Sequence, residues 1–223
     1  VLGDPARAIE IPGYLVDLLR EAAGDTSLVR NATALLMHPE RGLRLTSSAD
    51  QIAAFEFAAI RTSESLRALI LALKVGAVER NLERCFDAGG LPLSCHAMVS
   101  FGDKARRGLS SPSGRAARLG DAFTSAFGIQ GALTCRAGAV ARGPEDLPGD
   151  LREFYPRFAA NYFDVTARWY SSVKIGAVAG EVFRDVEKVR DPACFDFFVN
   201  PGHYLHLDEW VHSPFKAVSR VPL

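Results

Sequence analysis

Apolar positions recur at helical spacing through one long early stretch, with Ile52, Phe55, Ala59, Leu66, Leu69, Ile70 and Leu73 falling on a shared face. That period, with Ser47 or Ser48 ahead of it as a cap, predicts a helix that ends at Val75-Gly76. Val78 to Phe86 predicts a second, amphipathic helix, stopped by Gly89-Gly90. Upstream, residues 1–45 read as short helices between turns. Pro12-Gly13 punctuates, Tyr14, Leu15, Leu18 and Leu19 form a stripe, and an apolar run from Leu28 to Met37 ends at His38-Pro39. A histidine placed before proline reads as a turn residue.

The middle of the chain changes period. Leu93 to Phe101 predicts a strand, and residues 102–120 a polar loop rich in Ser, Gly and Arg. Asp121 to Phe127 and Ala132 to Val140 predict two strands around Gly128-Ile129-Gln130-Gly131, in the manner of a hairpin. A loop from Arg142 to Asp150 leads to a long helix, Phe154 to Val173, with Phe158, Tyr162, Val165 and Trp169 on one face. Val178 to Val189 predicts another helix, and Cys194 to Val199 a strand. Helix pairs set between antiparallel strands argue for an α+β fold over a doubly wound parallel sheet. The two halves share an order, a helix pair followed by strands, and no residue-level repeat accompanies it.

With 223 residues, 48% of them hydrophobic, the chain can bury one large core. Its formal net charge is zero, and no basic stripe is interleaved with aromatics, so nucleic acid is not an expected partner. No apolar run is long enough to cross a bilayer and no signal-peptide pattern opens the chain, so a membrane is not expected either and the expected location is the cytoplasm. The four cysteines, Cys85, Cys95, Cys135 and Cys194, are widely spaced and read as reduced thiols.

Candidate chemistry concentrates near the C-terminus. Three of the five histidines, His203, His206 and His212, lie in one short segment with Asp208, Glu209 and Trp210. Imidazole and carboxylate at that density suit metal binding or proton transfer. If the segment stays extended, His206, Asp208 and His212 share one side and His203 and Glu209 the other. Trp210 either walls a substrate pocket or closes the core. His96 follows Cys95 in the predicted middle strand, where neighbours point to opposite faces and cannot form a dyad, which leaves Cys135 with His96 or His203 as the possible thiol–imidazole pairing. Arg106, Arg107, Arg115 and Arg118 make the loop after that strand basic, as a carboxylate- or phosphate-gripping loop or an ordinary exposed loop would be.

The order of elements, together with several short motifs, resembles the pita-bread metallopeptidases: methionine aminopeptidase, prolidase, Xaa-Pro aminopeptidase and their relative creatinase. Gly76-Ala77-Val78-Glu79 stands where these proteins often have Pro-Gly-x-x-Glu. Met98-Val99-Ser100-Phe101-Gly102 resembles their strand ending in Ser-Gly, and Leu119-Gly120-Asp121 the Gly-Asp that opens the metal hairpin. Ile175-Gly176 with Gly180-Glu181-Val182 is similar to the second helix pair. Gly202-His203, with Leu205, Leu207 and Glu209-Trp210, resembles the segment that supplies the histidine ligand. The resemblance implies a pita-bread α+β domain over residues 46–223, incomplete at its C-terminus, preceded by the tail of an N-terminal domain over residues 1–45.

The departures are as specific. Active relatives hold two divalent ions (Mn, Co, Fe or Zn) through two hairpin aspartates, one histidine and two later glutamates. Here no aspartate or glutamate occurs between Ala122 and Gly143. The first ligand position falls near Ala126. The second falls within Leu133 to Ala137, where Thr134 and Cys135 are the polar residues. Both glutamates would lie beyond Leu223, so only His203 of the ligand set is present. The resemblance therefore implies a peptidase-like hydrolase acting next to proline, with His203 as ligand or catalytic group and His206, Glu209, Trp210 and His96 lining the pocket. The alternative is a metal-free relative, either a binding or scaffold protein or a creatinase-like enzyme using histidine acid–base chemistry. A peptide or small molecule is the expected partner in either case, and a homodimer the expected assembly.

Overall fold

The computed structural model describes residues 12–30, 32–38, 41–197, 200–203, 205–206, 209–210 and 213–223. Its elements in chain order are α1 (Gly13–Ala23), α2 (Thr33–Met37), α3 (Ala49–Ala72), α4 (Glu79–Leu82), β1 (Met98–Phe101), α5 (Asp103–Arg106), β2 (Ala122–Ile129), β3 (Ala132–Ala139), α6 (Gly149–Ser172), α7 (Ala179–Glu187), β4 (Leu205–His206) and β5 (Glu209–Trp210). The mixture is α+β, as the change of period predicts. No helix among the described residues is long and apolar enough to cross a membrane. Two compact units divide the chain. One is Ser48–Ala160 with Leu205–Glu209; the other takes in the residues up to Ser47, Asn161–Tyr204 and Trp210–Leu223.

In the unit that begins at Ser48, α3 starts with a capping box. The Ser48 hydroxyl accepts from the Gln51 backbone N–H at 3.2 Å, and the Gln51 side chain accepts from the Ser48 N–H at 2.8 Å. The helix buries Ala58, Thr62, Ser65, Leu66 and Leu69. These residues face an antiparallel sheet of order β1-β2-β3. Alternation puts Val99, Phe101, Phe123, Ser125, Phe127 and Ile129 on the α3 side. Leu69, Val99, Phe101 and Phe123 make one core cluster; Ala58, Leu66, Phe127, Ile129 and Ala132 make another. Gln130 and Gly131 close the β2–β3 hairpin, with Gly131 at φ 99°, where a side chain is strained.

The predicted strand Leu93–Phe101 forms only over Met98–Phe101. Leu93 bridges to Ile129 and Met98 pairs with Ala126, so five residue steps on one side oppose three on the other. The excess bulges outward and lifts Cys95 and His96 out of the ladder. The opposite-face argument for that pair therefore does not apply, because neither residue is in a strand.

In the other unit, α7 packs Ala179 and Val182 against Phe215, with Trp169 of α6 and Val173 just beyond its end around them. The predicted strand from Cys194 does not form over Cys194–Phe197; Phe198 and Val199 lie outside the described residues. The alternating aromatics serve a different purpose. Phe195 contacts Tyr162 and Phe197 contacts Phe183, while the Phe195 carbonyl accepts from the Arg190 guanidinium at 2.8 Å. A guanidinium thus takes up a carbonyl that a neighbouring strand would otherwise use.

The halves do carry a residue-level repeat, against the sequence reading. Lys74-Val75-Gly76-Ala77-Val78 recurs as Lys174-Ile175-Gly176-Ala177-Val178. Both copies follow a 24-residue helix and precede a shorter one. Gly76 and Gly176 have φ of 86° and 84°. The Gly76 N–H donates to the Ala117 carbonyl at 2.8 Å, and the Gly176 N–H to the Leu223 carbonyl at 2.7 Å. Val78 bridges antiparallel to Ala116, and Val178 to Pro222. One turn design is used twice.

Candidate ligand-binding site

The face of the sheet opposite α3 is built from the residues that alternate away from the core. Register places Met98, Ala126 and Cys135 side by side across the three strands, with Ser100, Thr124 and Ala137 in the next row. Ser100 and Thr124 share a hydroxyl–hydroxyl hydrogen bond at 2.8 Å. This pairing decides which polar residue of Leu133–Ala137 stands opposite Ala126. It is Cys135, an exposed residue on the edge strand, while Ala126 is fully buried. Thr134 is on the other face, where its hydroxyl meets that of Thr62 at 2.7 Å. The pair of positions that the resemblance marks for carboxylates therefore presents a methyl group and a thiol. These do not fit two divalent ions, which need anionic oxygens to neutralise them. Among the described residues, no three His, Cys, Asp or Glu side chains gather where they could hold a metal.

Beside this face, Glu79 organises the basic loop. Its carboxylate, fully buried at the start of α4, accepts from the Phe101 N–H at 2.9 Å, the Ser113 N–H at 2.7 Å, the Ser113 hydroxyl at 2.6 Å and Lys104 Nζ at 3.0 Å. Burial pushes its pKa up. The bonds from Ser113, Lys104 and Phe101 outweigh that and hold it below the ordinary 4.5. Lys104 also donates to the Ser111 carbonyl, and Arg115 grips Asp121 at 3.0 and 3.1 Å. Asp121 further accepts from the Arg118 N–H at 3.0 Å, which is the work of a turn residue. Two of the loop's cations are thus committed to carboxylates of the same unit.

In the other unit, Gly202 and His203 sit on an aromatic seat. The Gly202 carbonyl accepts from the Ser213 hydroxyl at 2.5 Å, and a Cβ at Gly202 would fall 2.8 Å from the Trp169 ring and 3.2 Å from Phe215. Only glycine fits so close to the two rings, and His203 follows it half-buried. Gly202→Ala is expected to cost about 1–3 kcal/mol through overpacking and to shift tryptophan fluorescence, measured by urea titration. Leu205–His206 and Glu209–Trp210 pair as a two-stranded piece, so the segment folds back instead of running extended. The side chains of His206, Glu209 and Trp210, and all of Asp208 and His212, lie outside the described residues. His96 is exposed on the bulge before β1. Of the five sequence-predicted residues, the side chains described are those of His203, half-buried, and His96, exposed.

The chain matches no family model and no curated protein sequence. Its backbone does match solved structures. Prolidase from Pyrococcus horikoshii superposes with a TM-score of 0.67 at 15% identity, over 96% of this chain and 61% of that one. The X-Pro aminopeptidase of Thermotoga maritima gives 0.65 at 14% identity, over 96% and 60%. Dipeptidase PepE of Mycobacterium ulcerans gives 0.64 at 20% identity, over 96% and 57%.

The chain has the pita-bread fold.

It spans about three fifths of the length of these pita-bread structures. Within the fold, sequence reasoning passed over Glu79 as an organising residue and the pairing of Arg115 with Asp121. A signal for the first was present, since a glutamate opening an amphipathic helix after Gly-Ala-Val has no apolar reason to be there. The second had none, because nothing in the spacing of Arg115 and Asp121 distinguishes an ion pair through one guanidinium nitrogen from two exposed charges.

Proposed function

We propose that this chain is a protein of the prolidase and Xaa-Pro peptidase type that binds a peptide or small-molecule ligand without two-metal hydrolysis. The observation that supports this reading is the cross-strand pair Ala126–Cys135. At the positions where the resemblance calls for aspartates, a methyl and a thiol leave two dications unneutralised and a bridging water unactivated. Of the small neighbours in the next row, Ser100 is buried, Thr124 half-buried and Ala137 exposed, so none supplies an anionic oxygen to cage ions.

The test is metal content by elemental mass spectrometry after dialysis without chelator, with hydrolysis of Xaa-Pro dipeptides assayed before and after soaking in manganese or cobalt. Far less than one ion per chain, and no metal-dependent turnover, is the expected result. Two tightly held ions with turnover would overturn it and restore the metallopeptidase.

A second reading rests on the anchored Gly202-His203 turn, with its Ser213 bond and aromatic seat. His203 would then act as a creatinase-like proton carrier in a metal-free hydrolase. Metal-independent turnover that His203→Ala abolishes, with the thermal midpoint retained, distinguishes this reading from pure binding.

A further inference from the structure

A separate concavity of about 280 Å³ lies under the loop that follows β3. Ala139, Ala141 and Leu147 contribute apolar surface, with Tyr155 and Pro156 of α6 alongside, and Arg142 and Arg152 complete it. The frame is fixed by the two arginines themselves. Arg152 donates from Nε to the Pro144 carbonyl at 3.1 Å, and from one terminal nitrogen to the carbonyls of Glu145 at 2.7 Å and Leu147 at 3.2 Å. Asp146 accepts the Arg142 backbone N–H at 2.9 Å and two of its guanidinium nitrogens at 2.9 and 3.1 Å. A loop held by six such bonds is formed before any ligand arrives, which lowers the ordering cost of binding.

Groups remain unspent around this frame. Among the described residues, no hydrogen bond engages the Nη1 group of either arginine, and Arg152 meets only neutral carbonyls, so no carboxylate compensates its charge. Pro156 lies inside α6 and has no N–H, which leaves the Arg152 carbonyl without its usual helical donor. The Glu145 carboxylate folds back beside Gly143, another lining residue, where a Cβ would meet its oxygens at 2.5 and 2.6 Å. Cationic donors and a carboxylate thus flank one apolar hollow. Its volume is just under the range of drug-sized ligand pockets, which run from about 300 Å³ upward, so only a small ligand fits.

We propose that this hollow is a binding site for a small zwitterion, an amino acid or dipeptide. Its carboxylate would be held by the free guanidinium nitrogens of Arg142 and Arg152, its ammonium by Glu145, and its side chain would lie against Tyr155. The site is independent of the sheet face and of His203.

The experiment is calorimetric titration of the purified protein with glycyl-tyrosine, its C-terminal amide and its N-acetyl form. The free dipeptide is expected to bind at least tenfold more tightly than either blocked form. Glu145→Gln, whose side chain is not part of the loop's frame, removes the advantage over the N-acetyl form. Ala141→Trp fills the hollow and abolishes binding, with an unchanged circular dichroism spectrum confirming the fold. No binding of the dipeptide, or binding that both substitutions leave untouched, overturns the assignment. Binding lost in His203→Ala but kept in Ala141→Trp would move the ligand to the other unit and overturn it equally.

Discussion

Glu79→Ala is expected to lower the stability of the protein by about 3–5 kcal/mol, the range for breaking a buried charged group away from its partners. The reason is the number of donors that converge on one carboxylate. Removing it strands the buried Phe101 N–H, frees both Ser113 groups and leaves Lys104 without its counter-charge. Each unsatisfied buried group carries its own desolvation cost. The loss should concentrate between residues 102 and 113, so hydrogen exchange there should rise before the rest of the unit opens. Urea titration gives the total, and a loss under about 1 kcal/mol, typical of a single ordinary hydrogen bond, would mean the hub is not coupled.

The same group sets an acid limb. Because the folded-state pKa of Glu79 lies below 4.5, its stabilisation is complete above the ordinary carboxylate range and fades as pH falls through the depressed value. Glu79→Gln cannot titrate, so the stability gap between wild type and Glu79→Gln should be widest near neutrality and narrow toward pH 3. A gap that stays constant with pH would show that the pKa is not shifted.

Phe127→Ala carries the other large effect, about 3–5 kcal/mol for emptying a buried aromatic position. Phe127 is 2% exposed and stacks on Phe86 with ring centroids 4.6 Å apart, 10° from parallel. It also adjoins Ala126, so the cavity would loosen the hairpin's hold on α3 next to the candidate ligand face. Phe127→Leu should recover most of the loss in thermal midpoint. If Phe127→Ala unfolds no more readily than an exposed control such as Phe163→Ala, the packing described for this cluster is wrong.

Much of this arrangement was legible from periodicity. The hairpin strands and the paired helices follow from spacings of 2 and 3.6. The predicted α3 face is only partly the buried one: Leu66 and Leu69 are buried, whereas Ile52 and Ile70 are exposed and Ala58, Thr62 and Ser65 take core positions. The turn narrows from residues 128–131 to Gln130-Gly131. What was illegible has local physical causes. Cys194–Phe197 alternates like a strand, yet its carbonyl and rings are claimed by Arg190, Tyr162 and Phe183, which are brought near only by tertiary packing. The bulge at Cys95-His96 depends on register with β2, which no pattern within Leu93–Phe101 encodes. The choice between Thr134 and Cys135 likewise waited on register, because adjacent strand residues exchange faces on a one-residue slip. Of the candidate site, the resemblance located the hairpin and the Gly-His turn, but not the residues that hold either in place.

The duplicated Lys-x-Gly-Ala-Val turn provides an internal control. It closes with the same glycine conformation and the same carbonyl partner geometry whether the next residue is Glu79 or Ala179. A carboxylate is therefore not a requirement of the turn. Where one copy carries it, buried and at full desolvation cost, what it holds is the loop at Lys104 and Ser113, and the other copy shows the same turn closing without that tether.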